Sequence, residues 1–238
     1  MKVFAMIPAR SGSKGLLNKN VAEVGGHPLI GHAAAFAQKL PVDRVIVSTD
    51  SETYAEVAAR YLLDDHRFWW HRRGEAAASD AAMEEDILAD YVDQDHPTPD
   101  VWVWLKPTSP FRRVEDVVRG LTILRSRPTE VDSVRVVSRA DARLQRVGDM
   151  GFLEWYGEPA TLGRSKMRRT EVTPVYKPFN LEIFRHRLGS LFMGTRIWPI
   201  EAPAITGIDV DGREDLDLVD AVMRADPRPA WLEPYVHA

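Results

Sequence analysis

Cysteine is absent from the 238 residues, which excludes disulfides, thiolate metal sites and cysteine nucleophiles and agrees with a reducing compartment. An excess of basic charge is absent too. Lys and Arg number 31 against 35 Asp and Glu, a net charge of −4, so no global positive field draws the chain to nucleic acid or to an anionic membrane. No apolar run approaches the roughly 20 residues that span a bilayer. The apolar start MKVFAMIPAR is ended by Arg10 before it reaches signal-peptide length. The expectation is a cytoplasmic protein with no nucleic-acid or membrane partner. Several signatures are also missing: Gly-x-x-x-x-Gly-Lys-[Ser/Thr], Gly-x-Gly, His-Glu-x-x-His and Gly-x-Ser-x-Gly. Their absence argues against P-loop NTPases, dinucleotide-binding Rossmann domains, zincins and α/β-hydrolases. The seven histidines show no ligand spacing and read as structural or exposed.

What is present is the material of a globular domain, with 45% hydrophobic and 28% charged residues. Lys2–Pro8, Arg44–Ser48, Val101–Leu105 and Asp132–Val137 read as short buried strands. Between them lie helical patterns: one opening at Pro28, one capped by Thr49-Asp50-Ser51, one capped by Ser79 or Asp80 and running to Val92, and one opening at Ser109-Pro110. Residues 65–78 read as irregular. The alternation predicts an α/β fold, a mainly parallel sheet with helices on both faces, over a single domain spanning 1–238. The rhythm breaks at 139–180, a stretch carrying Arg139, Arg143, Arg146, Arg164, Arg168 and Arg169 together with Phe152, Leu153, Trp155 and Tyr156. It reads as an inserted arm that packs on something. Leu181–Phe184 and Thr195–Ile200 read as returning strands and Glu214–Arg224 as a closing helix, with Trp231 and Tyr235 docking the tail.

In open parallel sheets, ligands bind beyond the carboxyl ends of the strands. The loop after the first strand holds Arg10, Lys14 and Lys19 with no acid, and Gly12 and Gly15 allow close approach of the backbone. Ser11, Ser13, Asn18 and Asn20 add donors. Fixed cations with backbone N–H groups suit a polyphosphate; the alternative is a solvated surface loop.

The segment IPARSGSKGLLNKN resembles the N-terminal signature of the acylneuraminate cytidylyltransferases, the CMP-sialic acid synthetases. VSTDS (47–51), RRGEAAASD (72–80), LKPTSPFR (105–112) and GIDVDGREDL (207–216) are similar to further segments of that family, in order. The resemblance implies a nucleotidyltransferase fold and a Mg²⁺-dependent reaction of CTP with a ulosonic acid, giving a CMP-sugar and pyrophosphate. It implies that Arg10, Ser13 and Lys14 hold the triphosphate and that Lys19 and Asn20 face the α-phosphate. Arg73, Ser79 and Asp80 would surround the cytidine, and Asp209 and Asp211 would bind metal. Catalysis falls to Lys19, Arg10 and Asp211. The arm at 139–180 corresponds to a homodimerisation segment that closes over the partner's site.

Departures from the family pattern gather at the sugar. The family's glutamine before Pro-Thr-Ser-Pro is Lys106 here, either a sugar contact or a lysine snorkelling from a strand end. An asparagine-glycine pair is replaced within Lys177-Pro178-Phe179-Asn180-Leu181. Arg169 keeps its place nine residues before Pro178 and carries over as a sugar contact. A legionaminic, pseudaminic or eight-carbon acid is therefore as open as N-acetylneuraminate. A CMP-Kdo synthetase, a sugar-1-phosphate nucleotidyltransferase and a non-catalytic nucleotide-binding protein are the rival readings. For Asp209 and Asp211, spacing two apart on a strand predicts one shared face. Asp211 also stands at capping-box spacing before Glu214.

Overall fold

Runs of five or six residues with no polar interruption build the centre of the molecule. The computed structural model describes every residue except 14, 63–64, 141–144, 148 and 156–172. Its strands are β1 (Val3–Pro8), β2 (Glu23–Val24), β3 (His27–Pro28), β4 (Arg44–Thr49), β5 (Phe68–Arg72), β6 (Val101–Leu105), β7 (Ser133–Ala140), β8 (Gln145–Val147), β9 (Leu153–Trp155), β10 (Val175–Arg185) and β11 (Ile197–Glu201). Its α-helices are α1 (Leu29–Gln38), α2 (Glu52–Ala59), α3 (Glu75–Ala78), α4 (Glu84–Asp93), α5 (Val114–Ser126) and α6 (Arg213–Met223). Seven strands form one sheet in the order β11-β7-β10-β6-β1-β4-β5, and β2-β3 and β8-β9 are separate ribbons. β10 runs antiparallel to both its neighbours; every other pairing in the large sheet is parallel. This is the mainly parallel sheet expected.

Both faces of the sheet are buried, and side-chain alternation divides them between two cores. Val3, Ala5 and Ile7 of β1 and Val101, Val103 and Leu105 of β6 face Ile30 and Phe36 of α1, Ala58 of α2 and Leu121 of α5. Phe4 and Met6, with Trp102 and Trp104, face Ile87, Leu88 and Tyr91 of α4. A third cluster joins Leu216, Val219 and Met223 of α6 to Phe111, Leu232 and Tyr235. Such burial on two faces is what a continuous apolar strand serves. Gly120 of α5 permits the close crossing of the sheet, since a Cβ there would stand 2.4 Å from Ile183 Cδ1.

The structure corrects several boundaries. Residues 65–78 are not irregular: they hold the edge strand β5 and the short α3. FWWHR lacks the aliphatic pattern of a buried strand, and only His71 of it is fully buried. Ser79 closes α3 rather than opening a helix. The next helix, α4, begins at Glu84, where the Met83 N–H donates to Asp86 at 2.7 Å. Helix α5 starts at Val114, not at Ser109-Pro110, because that turn is held elsewhere: Thr108 O accepts from Val210 N and Ser109 Oγ donates to Asp209. In the tail, Leu232 and Tyr235 are buried while Trp231 is exposed.

Of the segment expected as an arm, the described parts are the end of β7, the hairpin β8-β9 and the start of β10. Val147, Met150, Phe152 and Leu153 are exposed there, and Ala140 of β7 pairs with Val175 of β10. Arg143, Arg164, Arg168 and Arg169 lie outside the described residues. Among the described residues, no helix is long and apolar enough to cross a membrane.

Candidate active site

A cleft of about 630 Å³ opens where β1, β4, β5 and β6 end, the sheet edge at which open parallel sheets bind ligands. Pro8 and the following loop supply Arg10, Ser13, Gly15, Lys19 and Asn20. Arg73 enters from the end of β5, Met83 and Glu84 from the start of α4, Trp104 and Lys106 from β6 and its exit, and Asp211 from the approach to α6. Four cationic side chains thus meet two carboxylates around one cavity. Trp104 is fully buried beneath it, with an indole N–H that has no partner among the described residues.

The loop after β1 is tied down on several sides. Ser11 N donates to Asp50 Oδ1 at 2.7 Å and Ser11 Oγ donates to Asp50 Oδ2. Burial raises the Asp50 carboxyl pKa, but the Ser11 hydroxyl and amide outweigh it and leave that carboxyl below its ordinary value. Asn20 Nδ2 donates to Arg10 O at 2.9 Å, which folds the loop back on itself. Asn18 adopts a left-handed conformation at φ 55°, with its side-chain oxygen accepting from Tyr54 Oη at 3.2 Å. Asn tolerates that backbone better than most residues, because its short amide can bond locally.

Opposite charges sit on two of the loop's cations. Arg10 Nη1 lies 2.7 Å from Asp80 Oδ1, and Lys19 Nζ lies 3.2 Å from Asp211 Oδ1. Lys106 is paired with Glu84. Burial raises the Glu84 carboxyl pKa, yet the Lys106 ammonium more than reverses this. Arg73 is 7% exposed. Desolvation lowers its pKa to about 10, against Asp50 and Asp90, so it stays cationic at neutral pH.

The structure therefore brings Arg10, Ser13, Lys19, Asn20, Arg73, Lys106 and Asp211 to one cavity. Asp80 joins them through Arg10. Ser79 ends α3 and is not among the residues lining the cavity. Lys14 and Arg169 lie outside the described residues. The carboxylate pair does not share one environment. Residues 208–211 form no strand, and Asp209 Oδ1 accepts from Ser109 Oγ at 3.0 Å while Asp211 faces Lys19. Nor does Asp211 cap α6. Gly212 is the N-cap, and Asp215 accepts from the N–H groups of Gly212 and Asp211 at 2.9 and 3.0 Å.

Reading from sequence missed Glu84, whose position at the first turn of α4 was hidden by the misplaced helix start. It also missed Arg112, which is fully buried and donates to the Lys106 carbonyl. Burial lowers its pKa to about 9, with Asp209 opposing.

The family model described as Cytidylyltransferase matches residues 4–140, from β1 through β7. The N-acylneuraminate cytidylyltransferase of Escherichia coli O18:K1:H7 is 29% identical over 235 residues, covering 94% of this chain and 52% of that protein. The CMP-N,N'-diacetyllegionaminic acid synthase of Legionella pneumophila is 32% identical over 157 residues, covering 64% of this chain and 66% of that protein. The chain thus spans about half to two thirds of the length of the curated relatives it matches. A solved structure of a CMP:2-keto-3-deoxy-manno-octonic acid synthetase complexed with CTP superposes with a TM-score of 0.66 at 20% identity, covering 94% of this chain and 98% of that one. On the strength of the family match over more than half of its length, this chain belongs to the cytidylyltransferase family.

Proposed function

We propose that the cleft binds CTP and a sialic-acid-like ulosonic acid and joins them into a CMP-sugar, releasing pyrophosphate. The observation that carries this reading is the convergence of Arg10, Lys19, Arg73 and Lys106 on one cavity at the strand ends of a cytidylyltransferase-family fold. Both reactants are anions, so alignment and charge neutralisation are the catalytic problem. Arg10, Ser13 and Lys14 would hold the β- and γ-phosphates, and Lys19 and Asn20 the α-phosphate. Arg73 and the Ser79–Asp80 turn would take the cytidine end, and Lys106 with Arg169 the sugar. The sugar's anomeric oxygen attacks the α-phosphorus, the bond to the β-phosphate oxygen breaks, and the hydroxyl proton passes to Asp211.

Mg²⁺ fits the donors present in a limited way. Asp211 offers one exposed carboxylate at the cavity, and Asp209 a second, already hydrogen-bonded, two residues away. Among the described residues no group of three acidic, His or Cys side chains gathers to hold a metal unaided. That set suits an ion carried chiefly by phosphate oxygens and steadied by one or two carboxylates. When bound, Mg²⁺ neutralises the triphosphate and polarises its phosphorus.

The reading includes a cytoplasmic homodimer. The exposed apolar residues of the β8-β9 hairpin support a covered surface there, and the absence of cysteine fits a reducing compartment. The deciding assay is pyrophosphate release with CTP, UTP, ATP and GTP against N-acetylneuraminate, legionaminic, pseudaminic and eight-carbon ulosonic acids. Turnover confined to CTP with one of these acids is expected. Equal use of ATP or GTP, or no release with any pair, overturns the reading. Light scattering checks the assembly, and a monodisperse monomer contradicts the dimer.

A further inference from the structure

Four side chains from three elements form a single hydrogen-bonded chain behind the cleft. Ser48 of β4 and His71 of β5 are register partners in the sheet, and both are fully buried. Ser48 Oγ lies 2.9 Å from His71 Nδ1, and Arg73 Nε donates to the same Oγ at 2.9 Å. His71 Nε2 lies 3.0 Å from Asp90 Oδ2 of α4. The directions of these bonds are not free. A guanidinium N–H can only donate and an ionised carboxylate can only accept. With the imidazole neutral, its Nε2–H donates to Asp90, the bare Nδ1 accepts from the Ser48 O–H, and Ser48 Oγ in turn accepts from Arg73 Nε.

Serine, histidine and aspartate in line invite comparison with a hydrolytic triad. The serine excludes it: Ser48 has no exposure, so no substrate can reach its oxygen. What the chain does reach is the nucleotide cleft, through the other end of Arg73, whose Nη1 makes a long 3.4 Å contact to Ala77 O. Asp90 is itself fixed, accepting from the Gly74 N–H at 3.1 Å and from Gln94 Nε2 at 3.2 Å. Gly74 admits this approach because a Cβ there would stand 2.8 Å from Asp90 Oδ1. His71 is further packed edge-on against Tyr91 at 5.2 Å.

We infer that His71 is a positioning residue: held by Asp90, it orients the Ser48 hydroxyl so that Arg73 presents its guanidinium to the nucleotide in one fixed pose. The inference rests on the reading that Arg73 faces CTP. The neutral imidazole that it requires agrees with burial, which, with the charges of His96 and Arg73, outweighs Asp90 and lowers the His71 pKa to about 4.

Two measurements separate this inference from the reading beneath it. In ¹⁵N-labelled whole protein, His71 should appear as the Nε2–H tautomer at pH 7. The Arg73 Nε–H should exchange slowly, and exchange should quicken in Ser48→Ala and His71→Phe. In pyrophosphate assays the same variants should raise KM for CTP about tenfold or more, the size of one hydrogen bond to a charged group, with kcat changed less than about twofold. His71→Asn, whose amide oxygen can stand near the Nδ1 position, should recover most of the loss. An Nδ1–H tautomer, or unchanged Arg73 exchange in folded Ser48→Ala, overturns the positioning role whatever the substrate proves to be. Failure of the wild-type protein to use CTP, with the tautomer and exchange as expected, overturns the nucleotide reading instead and returns the chain to a role in placing Arg73 alone.

Discussion

Lys106 and Glu84 are ion-paired inside the cleft, so the exit of β6 presents a charge pair and not a lone cation to the ligand. Neither side chain is fully exposed, at 30% and 24%. A ligand at this exit can therefore meet a donor and an acceptor side by side, a pattern that the glutamine of the resembled family offers within one amide.

Lys106→Gln should reorder the preference among ulosonic acids while leaving the KM for CTP nearly unchanged. It should also raise the Glu84 pKa, since the ammonium that now offsets burial would be gone. Competition assays with paired acids check the ranking. An unaltered ranking would make Lys106 a structural partner of Glu84 only.

Asp211 and Asp209 should separate by phenotype. Asp211→Asn removes a carboxylate at the cavity and should cost roughly 10² or more in turnover, with little loss of stability. Asp209→Asn also removes a charge that acts on the buried Arg112 guanidinium, and should lower stability by about 1–3 kcal/mol in addition to any catalytic loss. Thermal melting beside kcat, at low and high Mg²⁺, distinguishes them. Equal melting of both variants would break the assignment.

Stability should fall as the solution is acidified from pH 6.5 toward 4. His71 and His237 both have pKa values lowered to about 4, in each case mainly by burial. Between that value and the ordinary 6.5, the unfolded chain binds protons that the folded chain refuses, so unfolding gains with every step down. His237→Gln, which keeps a donor for the Arg112 carbonyl now bonded at 2.7 Å, should flatten the slope of Tm against pH. An identical slope would remove His237 from the account.

The central strands were readable because their composition leaves no other solution. VFAMI and VWVWL have no polar face, and the structure buries both faces. Ser51 was readable as a cap because its Oγ has one use there, accepting from Tyr54 N at 3.3 Å. The edge strand β5 was not, because an edge needs few aliphatics and FWWHR carries its single buried side chain as a histidine. Ser79 misled because the residue types that start helices also end short ones. Cations of the cleft could be named from the loop after β1 and from two later motifs. Their partners Asp50, Glu84 and Asp90 come from other segments, and nothing local in a sequence announces a pairing across tens of residues.

The antiparallel course of β10 makes the inserted segment an interchangeable part. Because β7 leaves the sheet at Ala140 and β10 re-enters it directly opposite, at Val175, the two stumps stand roughly 5 Å apart. Whatever lies between them can lengthen at little thermodynamic cost, since doubling a loop adds only about 0.6 kcal/mol, and can equally be cut away. Replacing residues 141–174 with a short Asn-Gly turn should leave a sheet that melts cooperatively and a cleft that still takes up CTP. Such a graft should remove the proposed self-association and, with Arg169 gone, weaken use of the sugar, and the two ends of the strand pair could then accept segments of other lengths and chemistries without disturbing the domain that carries them.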